Sequence, residues 1–336
     1  MILTMELGER SYDIVVEDGC LAKAGEYLNL QRKVFIVTDD GVPAQYAATV
    51  ARQCAASETV TLPQGEDTKS FDSLRTLLSR MLAFGMGRGD CAVAVGGGVM
   101  GDLTGFAAAC YMRGIDFYNI PTTVISQVDS SIGGKTAIDL DGVKNIVGAF
   151  WQPKKVLIDP QTLKTLPRRQ IAGGLAEAVK MALCFDEAEF RKFEEGNMLE
   201  TPEAAIPGAL RIKKTVVELD ERESGLRRVL NFGHTLGHGI ESLHGENGLY
   251  HGECVALGML PMCSEPVRQR LEKVLRKLEL PVACDADPAR VMAAAVHDKK
   301  AQGGTVKAVW VEKAGSWEIR EMTPEALRER FEVVFS

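Results

Sequence analysis

Along the first half of the chain, apolar residues alternate between two textures: short β-branched runs, and stretches in which they recur every three to four positions. Residues 2–7 and 12–16 flank Gly8-Glu-Arg and predict a hairpin. Residues 33–38 predict a buried strand, 44–55 a helix and 59–62 another short strand. Over 71–86, Leu74, Leu77, Leu78, Met81 and Leu82 share one helical face, the pattern of plain core. Cys91-Ala-Val-Ala-Val95 then reads as a strand running straight into Gly96-Gly-Gly-Val-Met-Gly-Asp102, with helix resuming over 103–112. This order predicts a doubly wound α/β domain. From about Thr165 the spacing becomes helical, apart from 306–311 and 317–320, which flank Glu312-Lys-Ala-Gly-Ser and predict a late hairpin. The expected organisation is an α/β domain over 1–164 and a mostly helical domain over 165–336. Pro153, Pro160 and Pro167 punctuate the passage between them.

At 336 residues, 46% hydrophobic and 25% charged, the chain has the composition of a folded protein with two cores. The net charge of −7 argues against a nucleic-acid or anionic-membrane surface, so any anion must be held locally. The first residues lack the basic start and apolar core of an export signal, and no apolar run reaches membrane-span length. A cytoplasmic protein is expected. None of the eight cysteines forms a Cys-x-x-Cys pair, so reduced thiols are expected rather than a zinc ribbon or redox couple.

Four stretches carry candidate chemistry. Glycines after a buried strand let a pyrophosphate approach the backbone at a helix start, although Gly96–Asp102 lacks Gly-x-Gly-x-x-Gly spacing and also suits a tight turn. At neighbouring strand ends, Asp39 could accept from a ribose hydroxyl or cap its turn, and Glu66 in Gly65-Glu-Asp-Thr-Lys69 could cap the next helix. The lysines of Asp129-Ser-Ser-Ile-Gly-Gly-Lys135 and Lys144-Asn145 suit a phosphate or carboxylate, or a solvated loop. Arg113 stands where it would complement a helix C-terminus.

The fourth stretch is the densest, because four of the five histidines fall between positions 234 and 251. On a helix His234 and His238 share a face, and His251 returns from the next segment. Upstream, a helix around Gly174-Leu-Ala-Glu-Ala-Val-Lys180 buries Leu175, Val179 and Leu183, leaving Glu177 and Lys180 together on another side. Two imidazoles and one carboxylate leave a coordination position open, the pattern of a catalytic metal.

Together these stretches resemble the 3-dehydroquinate synthase family over nearly the whole chain. The resemblance is carried by residues 96–106, Pro-Thr-Thr (121–123), 127–136, Lys-Asn-Ile-Val-Gly-Ala-Phe (144–150), 175–180, Asp-Glu-Arg-Glu-Ser-Gly-Leu-Arg (220–227), Asn-Phe-Gly-His-Thr-Leu-Gly-His (231–238) and His-Gly-Glu (251–253). It implies an NAD-binding α/β domain, a helical domain, and a zinc or cobalt ion on Glu177, His234 and His251. His238 is thereby reassigned from ligand to proton transfer or phosphate contact, and His244 has no catalytic role. The implied NAD set is Asp39, Glu66, Lys69, Gly97, Gly98, Val99, Asp102, Thr122, Thr123, Lys144 and Thr165. The implied substrate set is Asp129, Lys135, Lys144, Asn145, Lys180, Lys213, Arg227 and Asn231, with Arg113 reaching a neighbouring subunit's site in a homodimer. Glu223 joins the catalytic network. Lys213 is chosen over Lys214, and Lys300 over Lys299 and Lys307.

The implied reaction turns a small sugar phosphate, 3-deoxy-D-arabino-heptulosonate 7-phosphate, into 3-dehydroquinate and phosphate. It proceeds by transient oxidation with NAD, metal-assisted β-elimination, re-reduction and internal aldol closure. A metal-dependent polyol dehydrogenase, or a sugar phosphate cyclase of secondary metabolism, shares parts of the pattern. The Asp129–Lys135 block, Lys144-Asn145 and Glu177 favour the dehydroquinate-forming branch. One departure is visible: between Gly258-Met259 and Leu280-Pro281 the chain is shorter than the family pattern.

Overall fold

The computed structural model describes residues 1–243, 248–297 and 305–335. The chain forms two compact units, Met1–Leu166 and Pro167–Ser336. In the first, β1 (Ile2–Met5) and β2 (Tyr12–Val16) form the expected antiparallel hairpin. Then come α1 (Ala24–Tyr27), β3 (Lys33–Asp39), α2 (Ala44–Ala51), β4 (Ala56–Leu62), α3 (Phe71–Ala83), β5 (Cys91–Gly96), α4 (Gly98–Cys110) and β6 (Asp116–Pro121). A small hairpin, β7 (Lys135–Leu140) and β8 (Val143–Phe150), precedes β9 (Lys155–Ile158).

The main sheet runs β1-β2-β9-β6-β5-β3-β4, and every pairing except β1 with β2 is parallel. Strand alternation distributes the core to both faces. Phe35 and Val37 with Ala92 and Ala94 pack against Leu74, Leu77 and Met81 of α3 and Leu103 of α4. Val34 and Ile36 with Cys91, Val93 and Val95 pack against Ala47 and Val50 of α2. This is the doubly wound α/β arrangement that the alternation predicts.

Two features correct the sequence expectation. Helix α4 begins at Gly98 rather than Leu103, so most of the glycine stretch is helix. Glycine is a weak helix former, but packing overrides propensity: a Cβ at Gly101 would stand 2.9 Å from Asn119, and one at Gly105 2.4 Å from Thr136. The helix lies flush on its neighbours. The Lys135 to Lys144 stretch is likewise a β-hairpin rather than a loop. Leu140 pairs with Val143 across Asp141 and Gly142, both with positive φ (50° and 79°), the conformation that Asp-Gly favours in a two-residue hairpin turn.

The second unit holds α5 (Arg168–Phe185), α6 (Glu187–Glu195), α7 (Ile206–Leu219), α8 (His234–Glu241), α9 (His251–Met259), α10 (Glu265–Lys277), α11 (Pro288–His297) and α12 (Pro324–Phe331). Strands β10 (Val306–Trp310) and β11 (Glu318–Met322) form the late hairpin. Helix α5 is enclosed from Ala172 to Cys184, so Glu177 and Lys180 are as buried as the apolar face beside them.

Helix α9 meets its neighbours through backbone. A Cβ on Gly252 would lie 2.0 Å from the Gly173 carbonyl oxygen of α5, and one on Gly258 1.9 Å from the carbonyl oxygen of Gly233, which precedes α8. Gly258→Ala is therefore expected to lower stability by about 1–3 kcal/mol, the usual cost of overpacking. Gly89→Ala, where a Cβ meets nothing within 4 Å, is the control. Urea unfolding of both variants checks this, and equal midpoints would mean that the helices are not in backbone contact.

Candidate active site

In the first unit, buried β5 delivers the chain to Gly97, whose extended backbone opens α4 without a capping side chain. The first-turn amides of Gly98, Val99 and Met100 lack intrahelical acceptors by the geometry of any helix start. Side chains crowd the glycines: a Cβ on Gly97 would lie 3.3 Å from Thr123, and one on Gly98 3.0 Å from Ser130. These positions fit an anion held by backbone donors. Thr122 is buried, its N–H donating to the Gly96 carbonyl at 2.9 Å.

Asp39 does cap its turn, accepting from the N–H groups of Gly41 and Val42 at 2.9 and 3.1 Å, and burial holds its carboxyl above the usual range against those bonds. Glu66 does not cap the next helix; Ser70 does, accepting from the Ser73 N–H. Glu66 instead faces Lys69, 3.4 Å away. Lys69 is almost fully buried and ties three segments together, through Asp102 at 2.9 Å, Glu66 and the Asn145 side-chain oxygen. Burial works against its charge, but Asp102 and Glu66 prevail and hold it above the usual lysine range. Thr165 bonds the Tyr46 hydroxyl at 3.0 Å.

Asp129 lies in the helical turn Ser126–Ser130, and Lys135 opens β7 with its side chain exposed. Asn145 has left-handed backbone (φ 56°) and donates its N–H to Asp139 at 2.7 Å. Lys144 precedes it on the exposed β8. Arg113 follows α4 in a short turn where Met112, Arg113 and Gly114 all have positive φ, so the arginine is aimed by the chain rather than simply trailing the helix.

In the second unit, three helices converge on one buried carboxylate. Glu177 of α5 meets His251 Nε2, the first residue of α9, at 3.2 Å and His234 Nε2, the first of α8, at 3.7 Å. One ligand atom from each of the three lies within 4.8 Å of the others. Two atoms bound tetrahedrally to one zinc ion are about 3.3 Å apart, so the spacing fits a shared ion. Both Glu177 oxygens are buried and lack an aligned hydrogen-bond donor among the described residues, although Lys180 ion-pairs with one of them. Burial would raise the Glu177 carboxyl, but Lys180 and the histidines hold it well below the usual range.

Burial and the Lys180 charge push His234 down to about 3, which leaves it neutral, as a ligand must be. Burial also opposes charge on His251, but Glu177 and Glu241 outweigh it and raise the ring to about 10. His238 is close, its ring centroid 5.2 Å from that of His234, yet it is outside the ligand cluster.

Beside this cluster, Asp220 accepts from the backbone N–H groups of Ser224, Gly225 and Arg227 at 2.8, 2.7 and 3.0 Å, and from the Ser224 hydroxyl. The loop so ordered buries Arg227 and sets Glu223 (φ 59°) to accept from the Asn231 amide at 2.9 Å. Asp220 and Arg227 are thus buried at the two ends of a stretch in which Arg222 stays exposed. Lys213 is buried, whereas Lys214 pairs with Glu218 on its own helix at 2.7 Å. Lys307 pairs with Glu321 across the late hairpin. His244, Lys299 and Lys300 lie outside the described residues.

Three acidic residues emerge that the sequence reading assigns no role: Asp220, Glu241 and Glu253. Glu241 stands seven residues after His234, two turns along one face, a spacing that could have pointed to it. Glu253 clamps Arg169 of α5 at 2.6 Å and accepts from the Tyr250 N–H at 2.8 Å, fixing the start of α9; an acid at the third helical position is its signal.

A doubly wound sheet ending in a glycine-rich helix start, in one chain with a helical unit bearing a Glu-His-His cluster around a buried carboxylate, defines an NAD-type, metal-dependent enzyme class. The pattern of 3-dehydroquinate synthase N-terminal domains matches residues 59–173, and that of the C-terminal domains matches 174–301. The chain belongs to the 3-dehydroquinate synthase family. It is 39% identical to the 3-dehydroquinate synthase of Pelobacter propionicus over 97% of both chains. It is 41% identical to that of Symbiobacterium thermophilum over 96% of this chain and 98% of the other. Among solved structures, 2-epi-5-epi-valiolone synthase from Streptomyces hygroscopicus, with NAD+ and Zn2+ bound, superposes with a TM-score of 0.88 at 29% identity over 98% of each chain. No described helix is long and apolar enough to cross a membrane.

The Asp220 loop yields a pH test. Burial acts to raise this carboxyl, but its hydrogen-bond donors dominate and hold it well below the usual range. A depressed folded-state value means stability that is present above the unfolded value of about 4 and lost as pH falls below it. Asp220→Asn is expected to lower the melting temperature at pH 7, and the gap to the unsubstituted protein should narrow between about pH 5 and pH 3. A gap unchanged with pH would remove the carboxylate's charge from the explanation.

Proposed function

We propose that this chain converts 3-deoxy-D-arabino-heptulosonate 7-phosphate into 3-dehydroquinate and inorganic phosphate, as a carbon–oxygen lyase that regenerates its NAD within each turnover. The observation that carries this reading is the Glu177–His234–His251 cluster, built around a buried carboxylate, in a chain that aligns with dehydroquinate synthases over nearly its full length. When bound, NAD+ takes up and returns a hydride while the divalent cation acts as a Lewis acid on the substrate hydroxyls.

The chain's own residues do the rest in this reading. The amides of Gly98 and Val99 hold the cofactor's pyrophosphate and Asp39 its ribose, with Gly97, Glu66, Lys69, Asp102, Thr122, Thr123, Lys144 and Thr165 around it. Lys69 also sets the position of Asn145. Lys135 and Asn145 hold the leaving phosphate, joined by Arg113 from the partner subunit of a homodimer and by Lys300. Asp129, Lys180, Lys213, Arg227 and Asn231 orient the carbon skeleton; Glu223 keeps Asn231 turned to it. His238 carries a proton to or from the substrate.

Two tests follow. Chelation should abolish turnover, zinc or cobalt should restore it, and Glu177→Ala should lose tight metal. NAD+ far below the substrate concentration should then support complete conversion; NADH rising in step with product would mark a dehydrogenase instead. Lys135→Ala separates phosphate from metal binding. One charged contact in a partly desolvated site is worth about 2–4 kcal/mol, so turnover should fall roughly a hundredfold or more while zinc content and NAD affinity stay near normal. Lys135→Met should be nearly as impaired. Normal turnover in either variant would place the phosphate pocket elsewhere.

A further inference from the structure

His251 is held at both ring nitrogens. Nε2 faces Glu177 Oε1 at 3.2 Å, and Nδ1 faces Glu241 Oε2, also at 3.2 Å. His234 shows the same polarity: its Nδ1 lies 3.1 Å from the Phe232 carbonyl oxygen, and its Nε2 turns to Glu177. Each imidazole thus has an oxygen facing Nδ1, and with an ion at the shared position the ring proton would sit on Nδ1 and leave the Nε2 lone pair for the metal. The acceptors differ in kind. For His234 it is a neutral carbonyl two residues before α8, and for His251 it is an ionisable carboxylate.

Helix stability alone does not account for Glu241. It is the last residue of α8, where a negative charge opposes the helix dipole, and its side chain is only 11% exposed. Its spacing from His234 lets one helix carry a ligand at its first residue and the support of the second ligand at its last. We propose that Glu241 is a positioning residue for the metal centre, orienting His251 so that Nε2 coordinates the ion. This inference rests on the reading of Glu177, His234 and His251 as the metal ligands.

The test uses the full-length chain and zinc alone. Zinc dissociation constants are measured by competition with a chromogenic chelator for the unsubstituted protein, Glu241→Gln, Glu241→Leu and Glu177→Ala, with nitrogen-15 NMR of the zinc-loaded histidines. Losing such a support weakens metal binding about ten- to a hundredfold. Glu241→Leu, which can neither accept nor carry charge, should approach the upper figure. Glu241→Gln, whose amide oxygen can still accept from Nδ1–H, should lose less, and the NMR should show His251 protonated at Nδ1 and metal-bound at Nε2. Wild-type zinc affinity in Glu241→Leu, or His251 bound through Nδ1, would overturn the proposal. If Glu241→Leu fails to fold, Glu241→Gln decides, and zinc binding equal to the unsubstituted protein with the His251 proton no longer on Nδ1 would overturn it. Undiminished zinc affinity in Glu177→Ala would overturn the metal-site reading itself.

Discussion

A carboxylate removed from water at Glu177 is the constraint on which the helical unit depends. An isolated buried charge is too costly to persist, and apolar packing cannot offset it. Glu177 is met by Lys180 one turn along its own helix and by His234 and His251 from two others. A glutamate side chain is short, so the helices bearing its partners must come close. They do so where Gly252 lies against Gly173 and Gly258 against Gly233. The glycines look dispensable in a helical pattern, yet they set the distance at which three side chains can share one ion.

The first unit solves a similar problem with different materials. Its candidate anion cradle is made of backbone: strand β5 ends, α4 begins at Gly98, and the first-turn donors are set by the fold rather than by residue type. Side chains enter only to brace it. Lys69 joins Asp102 of α4 to Asn145 of the β7–β8 hairpin, and Asp139 takes the Asn145 N–H, so the left-handed backbone at Asn145 is held from two sides. Loss of Lys69 would take from half-buried Asp102 its lysine partner and leave the hairpin unbraced. Its charge thus serves both the architecture and the site.

This division explains how much the sequence reveals. Unbroken apolar runs expose β3 and β5 because both faces of each are buried, and helical spacing exposes α3 because its apolar stripe is narrow. The metal cluster is legible because histidines are scarce and Glu177, with Lys180, interrupts the apolar run from Ile171 to Phe185. The start of α4 is not, because local propensity opposes it and only packing against Asn119 and Thr136 reverses the preference. The β7–β8 hairpin is hidden for another reason: β8 is largely exposed and carries polar residues inward and outward alike, so it has no clean period of two. Asp220 and Glu241 escape because a carboxylate that organises a loop or a ligand looks the same in sequence as one that faces water.

The stretch after α9, where the sequence reading expects a shortening, is held at a distance from the candidate site. Helix α9 passes through the turn Leu260–Met262 almost directly into α10. The link is secured by the N–H of Val311 donating to Met262 at 3.1 Å, and by the N–H and hydroxyl of Ser264 donating to Val311 and Glu312 at 3.0 and 2.7 Å. His251 stands at the opposite end of α9, about 13 Å away at the rise of a nine-residue helix. Between them the helix is pinned to its neighbours at Gly252, Glu253 and Gly258. A change at the far end of a helix clamped at three points is absorbed by the turn and the late hairpin before it reaches the ligand. Changes in the length of this connection therefore act far from His251, whereas a single methyl group at Gly252 or Gly258 meets the backbone of a neighbouring segment at about 2 Å.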